Sequence, residues 1–155
     1  MNRYLYFRTE ATDANDDATG DSACWPASSF MGMQPTSDTE LTLYFKSMLR
    51  GPGQEGAADG VANLDNNDSV IVTIPANTHL TAMKAITTAI ATGRSFTNSN
   101  FFSPLIIVAN DDSGGTEYLE GSGITACGTI TVVIAFIAVK WVSLGIVTTT
   151  ESLLS

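Results

Sequence analysis

The side chains in this sequence that could do chemistry are mainly carboxylates, and they are concentrated in short polar stretches. Asp13, Asn15 and Asp17 alternate in the first stretch, and alternate oxygen-bearing residues can hold a hard cation such as calcium. A calcium loop of the EF-hand type also requires glycine at its sixth position and glutamate at its twelfth, where this chain has Ala18 and Cys24. We therefore predict no metal site, and Asp13, Asn15 and Asp17 remain the metal-ligating candidates of the sequence.

Catalytic chemistry has little support in the sequence. His79 is the single histidine, and it stands at the start of a predicted helix without a serine or cysteine partner that its spacing marks as a nucleophile. Asp111 and Asp112 are neighbours in a predicted turn, where aspartate is favoured for its hydrogen bonds to the backbone. Phosphate-loop, dinucleotide-binding, zinc-protease and serine-hydrolase motifs are absent. The sequence thus predicts a protein that is not an enzyme and that needs no cofactor.

The charge balance and the cysteines restrict the partners and the compartment. Sixteen acidic and seven basic residues give a net charge of -9 at pH 7. Nucleic acid and anionic membranes bind clustered lysine and arginine, which the chain lacks, so neither is an expected partner. Cys24 and Cys127 are about a hundred positions apart and match no disulfide framework or metal motif. We expect two free thiols in a reducing cytosol.

Large apolar side chains in or beside irregular segments are the other functional signal. Tryptophan, phenylalanine and methionine are enriched at the centres of protein interfaces. Some of these residues must belong to the core, and sequence alone does not separate the two groups. The interface candidates are Trp25, Phe30, Met31, Phe101, Phe102 and Trp141.

The hydrophobic pattern predicts a mainly β scaffold for these residues. In residues 39–48, Leu41, Leu43 and Phe45 alternate with polar side chains, as in a strand with one buried face. Turns are expected at residues 34–36, 66–68 and 110–115. The strands are predicted at residues 4–8, 24–33, 39–48, 69–75, 103–108 and 118–119.

One amphipathic helix is predicted at about residues 78–92. Asn77 or Thr78 can cap its start, and Gly93 suits the left-handed residue that follows a helix. The fold class expected is α+β, mainly β: an antiparallel sheet or sandwich with this helix packed on it. The apolar face of the helix is predicted to consist of Leu80, Met83, Ile86, Thr87 and Ile90.

Residues 130–147 form the longest apolar run. It has the length of a short membrane span, but Lys140 lies near its middle, Gly145 interrupts it, and its β-branched residues favour strands. We interpret it as buried or interface strands, with a membrane partner unexpected. The domain organisation is then a single β-rich domain over residues 1–133 and an apolar, β-prone extension over residues 134–155, a candidate assembly arm.

Several segments of the chain, taken in their order, resemble those of a known group of proteins. These segments are RYLYFRTEATDANDDATGDSA, FMGMQPTSDTELTLYFK, DSVIVTI, AITTAIATG, IIVANDD and EYLEGSGITACGTITV. Over about residues 2–133 this pattern resembles the small virion structural proteins of marine tailed bacteriophages, such as those of cyanophages. The resemblance implies a non-enzymatic virion component that is assembled in the host cytoplasm.

The resemblance leaves two functions open. The first is a capsid-associated decoration or cement subunit that contacts its own copies and other virion proteins, such as a major capsid protein. The alternative is a tail- or fibre-associated adhesion module that binds host surface ligands, with calcium as a candidate ligand of the loop from Asp13 to Asp21.

Overall fold

A computed structural model describes residues 2–48, 67–93 and 104–133, and these residues form eight strands and one α-helix. The mainly β class with a single helix is the one that the sequence predicts. In chain order, the elements are β1 (Tyr4–Arg8), β2 (Ser22–Pro26), β3 (Phe30–Ser37), β4 (Glu40–Lys46), β5 (Asn67–Thr73), α1 (His79–Thr92), β6 (Leu105–Asn110), β7 (Glu117–Tyr118) and β8 (Ala126–Thr131).

The strands form two four-stranded sheets. Sheet A has the order β2-β1-β6-β7, and sheet B has the order β3-β4-β5-β8. Sheet B is antiparallel throughout, but β1 and β6 of sheet A run parallel, which the sequence analysis did not anticipate. A parallel pair needs a long crossover connection, and here the chain between β1 and β6 passes through β2, most of sheet B and the helix.

The core lies between the two sheets. The predicted alternation in β4 is confirmed, since Leu41, Leu43 and Phe45 are completely buried. The indole of Trp25 on β2 stacks on the ring of Phe45, with 4.6 Å between the centroids, and Phe7 on β1 meets both rings edge-on at 5.8 Å. These three aromatic side chains join sheet A to sheet B, as expected for a sandwich whose inner faces interdigitate.

The helix buries a different face from the predicted one. Its fully buried residues are Ala82, Ile86 and Ala89, and Leu80 is 64% exposed. Of the predicted face, Ile86 is buried, whereas Met83 and Ile90 are only half-buried. The small alanines allow the helix to pack closely against the sandwich. A prediction from hydrophobicity alone favours larger apolar residues for the buried face, so it does not indicate the alanines.

The C-terminal end of the helix is held by Arg3, a residue far away in the sequence. Gly93 adopts the predicted left-handed conformation, with φ of 70°. Arg3 Nη1 donates hydrogen bonds to the carbonyl oxygens of Ile90 and Ala91, and its distance to the latter is 2.7 Å. A cation at this position satisfies free carbonyls and is favoured by the helix dipole.

Three predicted boundaries are wrong for identifiable reasons. The segment 24–33 is not one strand, because the 3₁₀ turn Ala27–Ser29 separates β2 in sheet A from β3 in sheet B. The predicted turn at residues 34–36 lies inside β3, where Pro35 is tolerated because β3 is an edge strand. The predicted turn at residues 66–68 overlaps β5, which begins at Asn67.

The C-terminal extension at residues 134–155 lies outside the described residues. The same holds for Lys140 and for most of the apolar run that contains it. Among the residues that the structure describes, no helix is long and apolar enough to cross a membrane.

Candidate protein interface

The side of sheet A that faces away from sheet B carries two aligned rows of apolar side chains. Because side chains alternate along a strand and Leu5 and Phe7 point into the core, their neighbours on β1 point outward. The strand register sets one row as Pro26, Tyr4 and Leu105, and the other as Cys24, Tyr6 and Ile107. We call these six residues the sheet A face.

The sheet A face is accessible to solvent. Tyr4 and Leu105 are 39% and 38% exposed, and Cys24 is also exposed. The other three residues are half-buried. Apolar side chains that are grouped in this way make the sheet A face a candidate contact site for another protein.

The sheet A face is also uncharged at neutral pH. Burial raises the pKa of the Cys24 thiol above its ordinary value of 9.0. Burial, and then the nearby carboxylate of Asp16, raise the pKa of the Tyr6 phenol above 10.0. Neither group ionises near pH 7, and Pro26, Leu105 and Ile107 have no ionisable side chain. The face therefore offers apolar contact without a net charge.

Arg8 closes one end of this face. It follows Tyr6 on the outward side of β1, and its side chain is only 7% exposed. Its Nη1 lies 2.6 Å from Oδ1 of Asp13 and 3.7 Å from Oδ2 of Asp112, and its Nε lies 3.7 Å from Oδ2 of Asp16. The hydrogen bond with Asp13 is the main cause that raises the pKa of the guanidinium, so Arg8 remains a cation. We call these four residues the Arg8 cluster.

The Arg8 cluster binds the β1–β2 loop to the β6–β7 turn. The backbone N–H and the hydroxyl of Ser113 both donate to the carbonyl of Ala11, at 2.9 and 2.8 Å. The N–H of Asp111 donates to the carbonyl of Arg8 at 3.2 Å. The chemistry of the cluster is thus that of a clamp, in which one guanidinium offsets part of the negative charge of the three carboxylates around it.

The three metal-ligating candidates do not form a calcium loop. Asp13–Asn15 is a 3₁₀ turn, in which residues two apart point in different directions, so the alternation of the sequence does not bring Asp13 and Asn15 together. Asp13 instead contacts Arg8, and the N–H of Asp17 donates to Asp21 at 3.2 Å. Within the described ranges, no group of three His, Cys, Asp or Glu side chains is placed to hold a metal ion.

Asp111 links the two sheets beside the Arg8 cluster. Its carboxylate accepts hydrogen bonds from the hydroxyl of Tyr118 at 2.8 Å and from the N–H of Cys127 on β8 at 3.0 Å. Burial, followed by Asp111, raises the pKa of Cys127 to about 12. Burial and the hydrogen bond to Asp111 raise the pKa of Tyr118 to about 12. Both groups are therefore neutral under physiological conditions, and both cysteines are free thiols as predicted.

A buried carboxylate on β5 is absent from the predicted site residues. Asp68 is completely buried and accepts hydrogen bonds from Trp25 Nε1 at 2.8 Å, from the N–H of Met48 at 3.0 Å and from the N–H of Val133 at 2.9 Å. An aspartate two residues before a run of β-branched residues is the available signal, and the sequence predicts a turn there. Asp68 holds Met48 and Val133 beside each other, at the points where the chain enters residues 49–66 and 134–155.

The predicted interface residues have mixed positions. Trp25 is completely buried in the core and is therefore not a contact residue of the sheet A face. Phe30 is half-buried against Phe45, and Met31 is 52% exposed on β3. His79, the catalytic candidate that the sequence disfavoured, lies 2.9 Å from the carbonyl of Ser37 at the start of the helix. Phe101, Phe102 and Trp141 lie outside the described residues.

Comparisons of the chain with protein-family models, with curated proteins and with solved structures find no match.

Proposed function

We propose that this chain is a structural subunit of a bacteriophage virion, a capsid-associated decoration or cement protein that acts through protein–protein contacts. The observation that carries the proposal is the sheet A face, six aligned and mostly apolar residues, of which Tyr4, Cys24 and Leu105 are exposed to solvent. The resemblance of the sequence to small virion proteins of marine phages supports the same role.

The physical argument is one of repetition. The sheet A face is small, so a single contact through it contributes little binding free energy. On a symmetric shell the same contact is repeated many times, and linked contacts strengthen one another by effective concentration. A small sandwich with one apolar face is therefore suited to be a component of a particle. Many repeated contacts together supply the binding free energy that a single contact lacks.

The start of the C-terminal extension supports a second attachment. Val133 is held by Asp68 just after β8, and among the described residues β8 is an outer strand of sheet B. An edge strand has free backbone groups that can pair with a strand from another chain. We propose that residues 134–155, which follow Val133 in the sequence, act as an assembly arm on a neighbouring virion protein.

Immunogold electron microscopy on purified particles of the phage that encodes the chain tests the proposal. Regular labelling of the heads, together with detection of the chain by mass spectrometry after density-gradient purification, is the expected result. Labelling confined to tail fibres would favour the adhesion module instead. Loss of the chain during purification would contradict both, and an antibody against a non-structural phage enzyme controls for contamination.

A further inference from the structure

We propose that Asp111 keeps the outer edge of β8 closed, so that a strand from another chain pairs there only after the carboxylate has moved away. This inference rests on the proposed role of β8 as a second attachment, and it adds the contact that regulates that attachment. In sheet B, β8 lies outside β5 and has no further partner strand among the described residues. Its outward backbone groups are therefore the ones that another chain would use.

Asp111 occupies an N–H group of that edge. It follows β6 of sheet A, and both of its carboxylate oxygens lie 3.0 Å from the backbone nitrogen of Cys127 on β8. The hydroxyl of Tyr118 donates to Oδ1 at 2.8 Å, and the N–H of Asp111 donates to the carbonyl of Arg8 at 3.2 Å. The backbone and the side chain of Asp111 are thus both held in place. An incoming carbonyl would have to compete with a charged acceptor, which forms the stronger hydrogen bond.

Two further features of β8 disfavour strand pairing. The register between β5 and β8 shifts between Val70 and Val72, and a bulge of this kind interrupts the regular spacing of the ladder. The β1–β2 loop also lies against the strand, since a Cβ atom on Gly20 would be 3.2 Å from the carbonyl oxygen of Ile130. Proteins protect their edge strands with bulges, charged side chains and covering loops, and β8 combines all three.

A closed edge suits a subunit that is made in many copies. Two chains with open β8 edges would pair with one another before they reach the particle, and such contacts lead to aggregation. In the free chain the carboxylate of Asp111 occupies the N–H of Cys127. Attachment at this part of β8 is therefore the replacement of one hydrogen-bond acceptor by another.

Amide hydrogen exchange on the full-length chain tests the contact. Asp111→Ala removes the acceptor, whereas Asp111→Asn retains one oxygen and reduces the negative charge by the same amount. Exchange at the Cys127 amide should be about tenfold faster in Asp111→Ala than in Asp111→Asn. The amide of Thr125 is the internal reference, because it donates to the carbonyl of Thr73 on β5 at 2.9 Å and should exchange equally in both variants.

Light scattering over a range of concentrations tests the consequence. The mass of Asp111→Ala should rise with concentration, because its β8 edge is open, and Asp111→Asn should follow the unmodified chain. Circular dichroism checks that both variants are folded. If Asp111→Ala does not fold, Tyr118→Phe takes its place, since loss of the hydroxyl frees Oδ1 of Asp111. Relative to the unmodified chain, Tyr118→Phe should then raise exchange at Cys127 and leave exchange at Thr125 unchanged.

The outcomes separate this inference from the proposed function. Equal exchange at Cys127 in Asp111→Ala and Asp111→Asn, or unchanged exchange there in Tyr118→Phe, would show that the carboxylate does not cover the edge. Equal masses of the two Asp111 variants at every concentration would show that the uncovered edge does not pair. Either result overturns the inference, and the virion role still stands if the chain is present on phage heads. If Asp111→Ala associates but the chain is absent from purified particles, the inference stands and the virion role fails.

Discussion

Trp25 Nε1 lies 2.8 Å from Oδ2 of Asp68, and this hydrogen bond joins sheet A to sheet B inside the core. The same carboxylate accepts the N–H groups of Met48 and Val133, so one buried side chain holds three separate parts of the chain. A buried carboxylate is tolerated here because each of its hydrogen bonds has a protein donor.

Asp68→Ala should destabilise the protein by about 3 kcal/mol, because it leaves Trp25 Nε1 without its acceptor in the core and also removes the acceptor of two part-buried backbone N–H groups. Urea unfolding followed by tryptophan fluorescence measures the change. Asp38→Ala is the control, since Asp38 is exposed in the β3–β4 turn and its replacement should cost less than about 0.5 kcal/mol. Equal effects of the two variants would show that the Asp68 contacts contribute no more than a surface residue does.

Gly93→Ala should be more costly than Gly121→Ala. Both glycines have positive φ, 70° and 74°, so alanine is strained at each position by about 1 kcal/mol or more. Only at Gly93 would the new Cβ also lie 2.5 Å from Nε of Arg3, whereas Gly121 has no atom within 4 Å. Thermal unfolding of both variants isolates the steric effect, and a smaller loss for Gly93→Ala than for Gly121→Ala would contradict the contact between Arg3 and the helix end.

The protein should lose stability in alkali. The pKa of Cys127 rises from 9.0 in the unfolded chain to about 12 in the folded one, and that of Tyr118 rises from 10.0 to about 12. Between those limits the unfolded chain releases protons that the folded chain retains, so the free energy of unfolding falls as the pH rises. Below pH 9 the contribution of these two groups to the free energy of unfolding is fully present.

Urea midpoints between pH 7 and pH 11 measure this dependence. Tyr118→Phe removes one titrating group and Cys127→Val removes the other, so each variant should show a shallower decline than the parent. A parent midpoint that stays constant from pH 8 to pH 11 would mean that burial does not protect these groups from ionisation.

Arg8→Gln should lower the melting temperature more than Asp13→Asn does. Removal of the guanidinium leaves the carboxylates of Asp13, Asp16 and Asp112 close together without a cation, whereas Asp13 is 83% exposed and its loss is compensated by water. Added salt should restore part of the stability of Arg8→Gln by screening the remaining repulsion. A lower melting temperature for Asp13→Asn than for Arg8→Gln would show that the Arg8 cluster does not hold the β1–β2 loop in place.

Local patterns in the sequence were sufficient for much of the fold. The alternation in β4 and the helix with Gly93 at its end are short-range features, since strand faces and helix caps are determined by residues a few positions apart. The pairing of β1 with β6 depends on partners about a hundred residues apart, and no local pattern encodes it.

The candidate interface was less predictable. The sequence indicated Trp25 as a contact residue because of its type, and packing against Phe45 made it core instead. Tyr4 and Leu105 became contact candidates only when the strand register placed them side by side. An exposed face is a property of strand order and register, and the residue types of single segments do not determine it.

The pairing of β1 with β6 determines when the chain can fold during its synthesis. β1 leaves the ribosome about a hundred residues before its parallel partner, which begins at Leu105. At about 5–20 residues per second, β1 waits several seconds with Phe7 and both tyrosines of the sheet A face exposed. A nascent chain on a crowded polysome would therefore need a chaperone or the acidic β1–β2 loop to keep neighbouring copies apart until translation has passed β6.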